Sequence, residues 1–241
     1  MPQQSPHANA APNPGPILVD VDTGVDDAVA LALAVGLNAN PVAVTTVAGN
    51  VPIDASTRNT IDVLSYLGCD AVPVHRGASR PLVASYRAAT DIHGANGLGG
   101  VRLPRGSAEE SSLAGPAAII RAADEHAGAL TVVTLGPLTN LAIALNVGPG
   151  FVRQIAKVVV MGGAFFNPGN VTPHAEFNVY VDPDAAAQVF NADFANLTLV
   201  GLDVTHQTAL TRNVWERIQQ GATGSAALLR QILARTFTER A

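Results

Sequence analysis

Four aspartates, Asp20, Asp22, Asp26 and Asp27, fall within eight residues of the run Ile17-Leu18-Val19-Asp20-Val21-Asp22-Thr23-Gly24-Val25-Asp26-Asp27. The run passes from an apolar stretch of strand length into an Ala/Leu-rich stretch of helical length, so the carboxylates gather where a buried strand turns into a helix. Like charges this close repel one another unless something positive sits among them. One aspartate, Asp26 or Asp27, could cap the helix and favour its positive N-terminal end, but a cap needs one residue and not four. A bound hard cation accounts for the whole set. Oxygen ligands on a tight turn, with no His or Cys nearby, suit calcium or magnesium rather than zinc.

Three further polar segments stand after apolar runs. Thr45-Thr46-Val47-Ala48-Gly49-Asn50 ends on an amide, and Thr134-Leu135-Gly136-Pro137-Leu138-Thr139-Asn140 uses Gly and Pro to turn into a helix. Met161-Gly162-Gly163 leads through a Pro/Gly loop to Asn170 and then to Glu176-Phe177-Asn178. Taken singly, Asn50 or Asn140 reads equally well as a turn or cap residue. The aspartate cluster alone also leaves two chemistries open. Phosphatases of the haloacid dehalogenase type begin with a strand and spaced aspartates, the first of which is a nucleophile for phosphoryl transfer with magnesium.

The elements that must position these residues follow from the apolar pattern. Residues 17–21, 42–47, 130–134, 158–161 and 197–200 read as strands, and residues 26–37, 55–67, 117–126, 138–145 and 183–190 as helices. The strands are continuously apolar rather than alternating, which implies burial on both faces. An α/β fold with an open, mainly parallel, doubly wound (Rossmann-like) sheet is expected. Ligands of such sheets bind beyond the carboxyl ends of the strands, where all four polar segments lie. Residues 1–16, rich in Pro, Ala, Gln and Asn, read as a disordered tail, and residues 17–241 as one domain.

Composition narrows the partners. A net charge of −5 with 14 Lys and Arg argues against a nucleic acid and for a small-molecule ligand. The one cysteine, Cys69, excludes an intrachain disulfide framework, reads as a small apolar filler, and fits a cytoplasmic setting. Neither a signal peptide nor a membrane span is expected.

Together, the aspartate cluster and the three later segments resemble the inosine-uridine-preferring nucleoside hydrolases. The resemblance runs over residues 17–207 and includes a fifth piece, Asp91-Ile92-His93-Gly94 followed by Gly97-Leu98-Gly99-Gly100. The phosphatase alternative has no counterpart of the Gly-Pro-Leu-Thr-Asn or Glu-Phe-Asn segments. The resemblance implies the nucleoside hydrolase fold, a Ca2+ ion held by Asp22, Asp27 and the main-chain carbonyl of Leu135, and a ribonucleoside substrate. It further implies that Asp26 and Asn50 hold the ribose 2′-hydroxyl, Asn178 the 3′-hydroxyl, and Asn170 with Glu176 the 5′-hydroxyl. Phe177 would pack beneath the sugar or base, and His93 would lie near the base. A homo-oligomer, dimer or tetramer, and a place in purine and pyrimidine salvage are implied in the same way.

The implied reaction breaks the ribosyl C–N bond through an oxocarbenium-like state, with an activated water on one face and help for the departing base on the other. The resemblance makes Asp22 both a metal ligand and the base for that water. It also implies a later His-Asp pair, an acid near the base and a further calcium carboxylate, which does not occur before Ala241. Residues 214–240 read as helical instead. The chain is therefore expected to be a C-terminally shortened member, binding calcium weakly and turning over poorly. The competing expectation is a noncatalytic nucleoside or ribose binder. His206, in Asp203-Val204-Thr205-His206, receives no role.

Overall fold

The computed structural model describes residues 15–39 and 41–238. Of the expected tail, residues 1–14 lie outside the described residues, and Pro16 already accepts a hydrogen bond from Thr131 N at 3.0 Å. Six strands form one wholly parallel sheet in the order β3-β2-β1-β4-β5-β6. They are β1 (Ile17–Val21), β2 (Ala43–Thr46), β3 (Val74–Arg76), β4 (Leu130–Thr134), β5 (Ile155–Met161) and β6 (Leu197–Val200). The order reverses at β1 and β4, which is the switch point where a doubly wound sheet opens a crevice for ligand. The strand at β3 is absent from the apolar pattern because it has three residues, two of them His75 and Arg76.

Helices cover both faces, as continuous apolar strands require. On one face α4 (Gly115–Glu125), α5 (Thr139–Val147) and α7 (Pro183–Phe190) pack Ile119, Leu141 and Val189 against Leu18, Val132 and Val158. On the other, α1 (Val25–Gly36) and α2 (Ile53–Tyr66) pack Leu31 and Leu64 against Val19, Val21 and Val44. Ala28, Leu31 and Ala32 share one stripe of α1 through their spacing of three and four, and all three are buried. Short helices α3 (Thr90–His93), α6 (Phe177–Val181) and α8 (Leu202–Thr205) lie in the loops after β3, β5 and β6. Among the described residues no helix is long and apolar enough to cross a membrane.

The stretch 214–240, expected as helical, forms two helices, α9 (Arg212–Gln220) and α10 (Gly224–Thr238), with residues 239–240 outside the described residues. The break is capped from both sides. Arg230 Nη1 donates to Ile218 O at 3.0 Å and Gly221 O at 2.5 Å, satisfying carbonyls at the end of α9, and Thr223 Oγ1 accepts from Ala226 N at 3.1 Å. Folding back lets Leu228 and Ile232 of α10 bury with Leu31 of α1, while Trp215 of α9 stacks on Phe237 at 4.9 Å.

One row across the sheet is polar. His75, Thr45, Asp20 and Thr134 stand in register on β3, β2, β1 and β4, all fully buried. Asp20 Oδ1 accepts from Thr45 Oγ1 at 2.5 Å and from Asn140 Nδ2, on α5, at 2.7 Å. Asn140 also donates to Thr46 O at 2.9 Å and accepts from Ala78 N at 2.8 Å. One amide thus ties β1, β2, the loop after β3 and α5 together at the ligand edge of the sheet. Asn140→Ala strands several buried polar groups at once, so it should lower the unfolding free energy by about 2–4 kcal/mol. Exposed Asn146→Ala on the same helix should change it by less than about 0.5 kcal/mol. Denaturant midpoints of the two variants check this, and equal midpoints would show that the tie carries no stability.

Candidate active site

Asp22 follows β1 at the switch point and is fully buried. Its Oδ2 accepts from Asn50 N at 2.6 Å, and its Oδ1 has no partner among the described residues. Asp27, in the first turn of α1, accepts on Oδ2 from Gly24 N at 2.9 Å and Asn50 Nδ2 at 3.3 Å, and its Oδ1 is likewise without a partner. Asp27 therefore does serve the helix start, but that use engages one of its two oxygens. Burial, then the charge of Asp27, holds the Asp22 carboxyl well above the ordinary range. Burial and the charge of Asp26 push Asp27 up to about 8.

The backbone wraps tightly round Asp22. A Cβ at Gly49 would collide with Asp22 Oδ2, and one at Gly136 would sit 2.9 Å from Oδ1. Only glycine lets the loops after β2 and β4 approach this closely. Leu135, beside Gly136, is anchored by its N–H to Asp20 O at 2.8 Å, and its carbonyl accepts from Asn178 Nδ2 at 2.7 Å. That amide donates also to Met161 O at 3.1 Å, so Oδ1 is the atom Asn178 can offer to a ligand. Asp22, Asp27, Asn50, Leu135 and Asn178 are brought to one place from four loops.

The remaining expected residues are placed less uniformly. Glu176 is buried, and its two oxygens accept from Asn178 N, Val179 N and Gly163 N at 2.9 to 3.1 Å, so it caps α6. Phe177 is half-buried beside it. Asn170 is exposed, and its N–H donates to Ala175 O at 3.1 Å. Asp26 is exposed, with Oδ1 3.5 Å from His93 Nδ1. That His93 nitrogen also lies 3.3 Å from Val25 N, which donates to it. Asp26 and His93 border a cavity of about 440 Å³ between α1, α3 and α10, with Val25, Ile92 and Leu233 as apolar walls. Asp22, Asn50 and Asn178 do not line it, so the cavity adjoins the carboxylates rather than containing them.

Tyr86 also belongs to this region. Its hydroxyl donates to Gly49 O at 3.2 Å, and burial together with the charge of Asp22 pushes the phenol up to about 12. Nothing in the pattern of its irregular segment singles it out.

The donor set suits a hard cation. Three buried carboxylate oxygens lack partners among the described residues, Oδ2 of Asp20 and Oδ1 of Asp22 and of Asp27, and the groups that shift the Asp22 and Asp27 carboxyls are burial, other carboxylates and hydrogen bonds, with no cation among them. Among the described residues no third acid, imidazole or thiol joins to make a metal cluster. Carbonyl and water oxygens would have to complete the six to eight ligands calcium takes.

The raised carboxyls fix a pH dependence. Asp20, pushed up to about 7 mainly by burial, and Asp27, at about 8, hold protons more tightly folded than unfolded, where the value is 3.8. Their contribution to stability is complete below 3.8 and is lost as pH rises through about 7 and about 8. In chelator, the melting temperature should fall over that window, and Asp27→Asn should flatten the fall. Added calcium should raise it more at the alkaline end than at the acidic end. A melting temperature independent of both pH and calcium would show that the pair is not stressed.

A family model for inosine-uridine preferring nucleoside hydrolase matches residues 17–241. The chain is 41% identical over 228 residues to the inosine-uridine preferring nucleoside hydrolase of Leishmania major, covering 91% of this chain and 70% of that protein. It is 41% identical over 196 residues to an uncharacterized protein of Schizosaccharomyces pombe, 79% of this chain and 62% of that one. The pyrimidine-specific ribonucleoside hydrolase RihA of Citrobacter koseri is 40% identical over 211 residues, 87% and 66% of the two chains. The chain thus spans roughly two thirds of the length of these relatives. Among solved structures, the plant nucleoside hydrolase PpNRh1 superposes with a TM-score of 0.87 at 33% identity, over 95% of this chain and 73% of that one. The purine-preferring ribonucleoside hydrolase of Gardnerella vaginalis gives 0.86 at 31% identity, over 93% and 74%. With its parallel sheet, its paired aspartates at the switch point and this match along nearly its whole length, the chain belongs to the inosine-uridine preferring nucleoside hydrolase family.

Proposed function

We propose that the chain hydrolyses the N-glycosidic bond of ribonucleosides to ribose and free base, with calcium at Asp22, Asp27 and the Leu135 carbonyl. The observation that carries this reading is the pair of buried carboxylates, each with one unpartnered oxygen, at the switch point of the sheet. Bound there, calcium would orient a water and lower its pKa. Asp22 would accept a proton from that water, as the base the residue set supplies beside the metal position. The water oxygen would bond to the anomeric carbon as the C–N bond breaks, the C–N electron pair leaving with the base, which would take up a proton from solvent.

The polar residues around the pair suit a sugar. Asn178 offers Oδ1 to the 3′-hydroxyl because its amino group is held by Leu135 O and Met161 O. Asp26 and Asn50 serve the 2′-hydroxyl, and Asn170 with Glu176 the 5′-hydroxyl. A site that hydrogen-bonds each hydroxyl rejects deoxy analogues, because its own polar groups would be left unpaired. His93 and the apolar walls beside it receive the base, and Phe177 packs against the sugar or base.

The test is release of free ribose from inosine and from uridine, with calcium and with chelator. Calcium-dependent release is expected. Binding of either nucleoside without release would instead indicate a noncatalytic binder. Asp22→Ala should lower kcat/KM by about 10²- to 10⁴-fold, the usual contribution of a general base. Asp26→Ala, which removes one contact to one hydroxyl, should cost about tenfold. Equal losses with calcium affinity unchanged in both variants would contradict the assignment.

A further inference from the structure

The segment after β6, Asp203-Val204-Thr205-His206, has no task in the reaction above. Its first residue nevertheless makes three hydrogen bonds to the loop after β5. Phe165 N lies 2.8 Å from Asp203 Oδ2, and Phe166 N and Asn167 N each lie 2.8 Å from Oδ1. Three consecutive amides can converge on one carboxylate only if the chain curls around it, so the carboxylate sets the curl. Those amides hold the Asp203 carboxyl below its ordinary range.

The loop is fastened at both ends by other groups. At its start Gly163 N donates to Glu176 Oε2 at 3.0 Å, and Leu202 N donates to Gly163 O at 2.9 Å. At its end Gly169 N donates to Pro173 O and Asn170 N to Ala175 O, each at 3.1 Å. Between these points, Asp203 is what holds the amides of residues 165–167. Asn170 is exposed and stands three residues beyond the curl, on a turn closed by its own N–H to Ala175 O, so the curl sets where that closed turn sits rather than its internal shape.

We propose that Asp203 is a positioning residue for the 5′-hydroxyl end of the site, acting through residues 165–167 to set where Asn170 presents its side chain. This rests on the ribose reading given above. Asp203 touches no part of the substrate. Asp203 is half-buried and belongs to neither hydrophobic core, so its replacement leaves the buried sheet intact.

The experiment compares Asp203→Ala and Asp203→Asn with the wild-type chain, in calcium, by affinity for inosine and for 5′-deoxyinosine. The wild type should prefer inosine. Asp203→Ala should lose about tenfold in affinity for inosine, the equivalent of one hydrogen bond, with no change for the 5′-deoxy analogue. Asp203→Asn, which keeps one acceptor oxygen, should fall between. Amide exchange at Phe165, Phe166 and Asn167 should accelerate in Asp203→Ala at an unchanged melting temperature. If the wild type discriminates and Asp203→Ala discriminates equally, or loses affinity for both nucleosides alike, the inference is overturned while the ribose reading stands. If the wild type binds neither nucleoside, the ribose reading fails and takes this inference with it.

Discussion

Asp22 and Asp27 are withdrawn from water beside one another with no cation among the groups that shift them, and the loops around them hold their shape against that repulsion. The restraint comes from beneath. Asp20, two residues before Asp22, is gripped by Thr45 and Asn140, and Asn140 reaches the strand that leads to Asn50 and opens the helix that follows Gly136. A buried polar network of this kind is stiff because each member would be costly to strand. Rigidity at the floor keeps the two buried carboxylates side by side at a cost in stability.

Part of this was legible in the sequence and part was not, and the division follows range. The aspartate run could be read because strand, turn and helix start are consecutive, so the chemistry is local. The parallel sheet could be read because burial on both faces leaves continuous apolar runs such as 17–21 and 130–134. The hydrogen bond between Asp20 and Asn140 joins residues 120 apart, and no pattern announces such a pair. The same holds for Tyr86 over Gly49, 37 residues away, and for Arg230 across the break between α9 and α10. That break left a helical pattern on both sides, and what decided it was packing of α10 on α1.

The residues proposed to meet the sugar show a second limit. The resemblance assigns hydroxyls to Glu176, Asn178 and Asn170, yet the three differ in how they are held. Glu176 spends both oxygens on backbone amides and Asn178 its amino group on two carbonyls, whereas Asn170 is exposed on a loop and tied through its N–H to Ala175 O. Burial and side-chain hydrogen bonding thus thin from the carboxylate pair toward the exposed loop, the kind of segment that opens most readily.

The two glycines pressed against Asp22 have a consequence for how this site can change. The wall they form is main chain, so no side chain exists there to enlarge, shrink or recharge, and any substituent at Gly49 or Gly136 would meet a carboxylate oxygen. Variation is therefore one-sided. The floor is fixed by backbone geometry, while the adjoining cavity walled by Ile92, His93 and Leu233 is built of replaceable side chains. Descendants of this chain, natural or engineered, could diverge in what they admit to that cavity while inheriting the same floor.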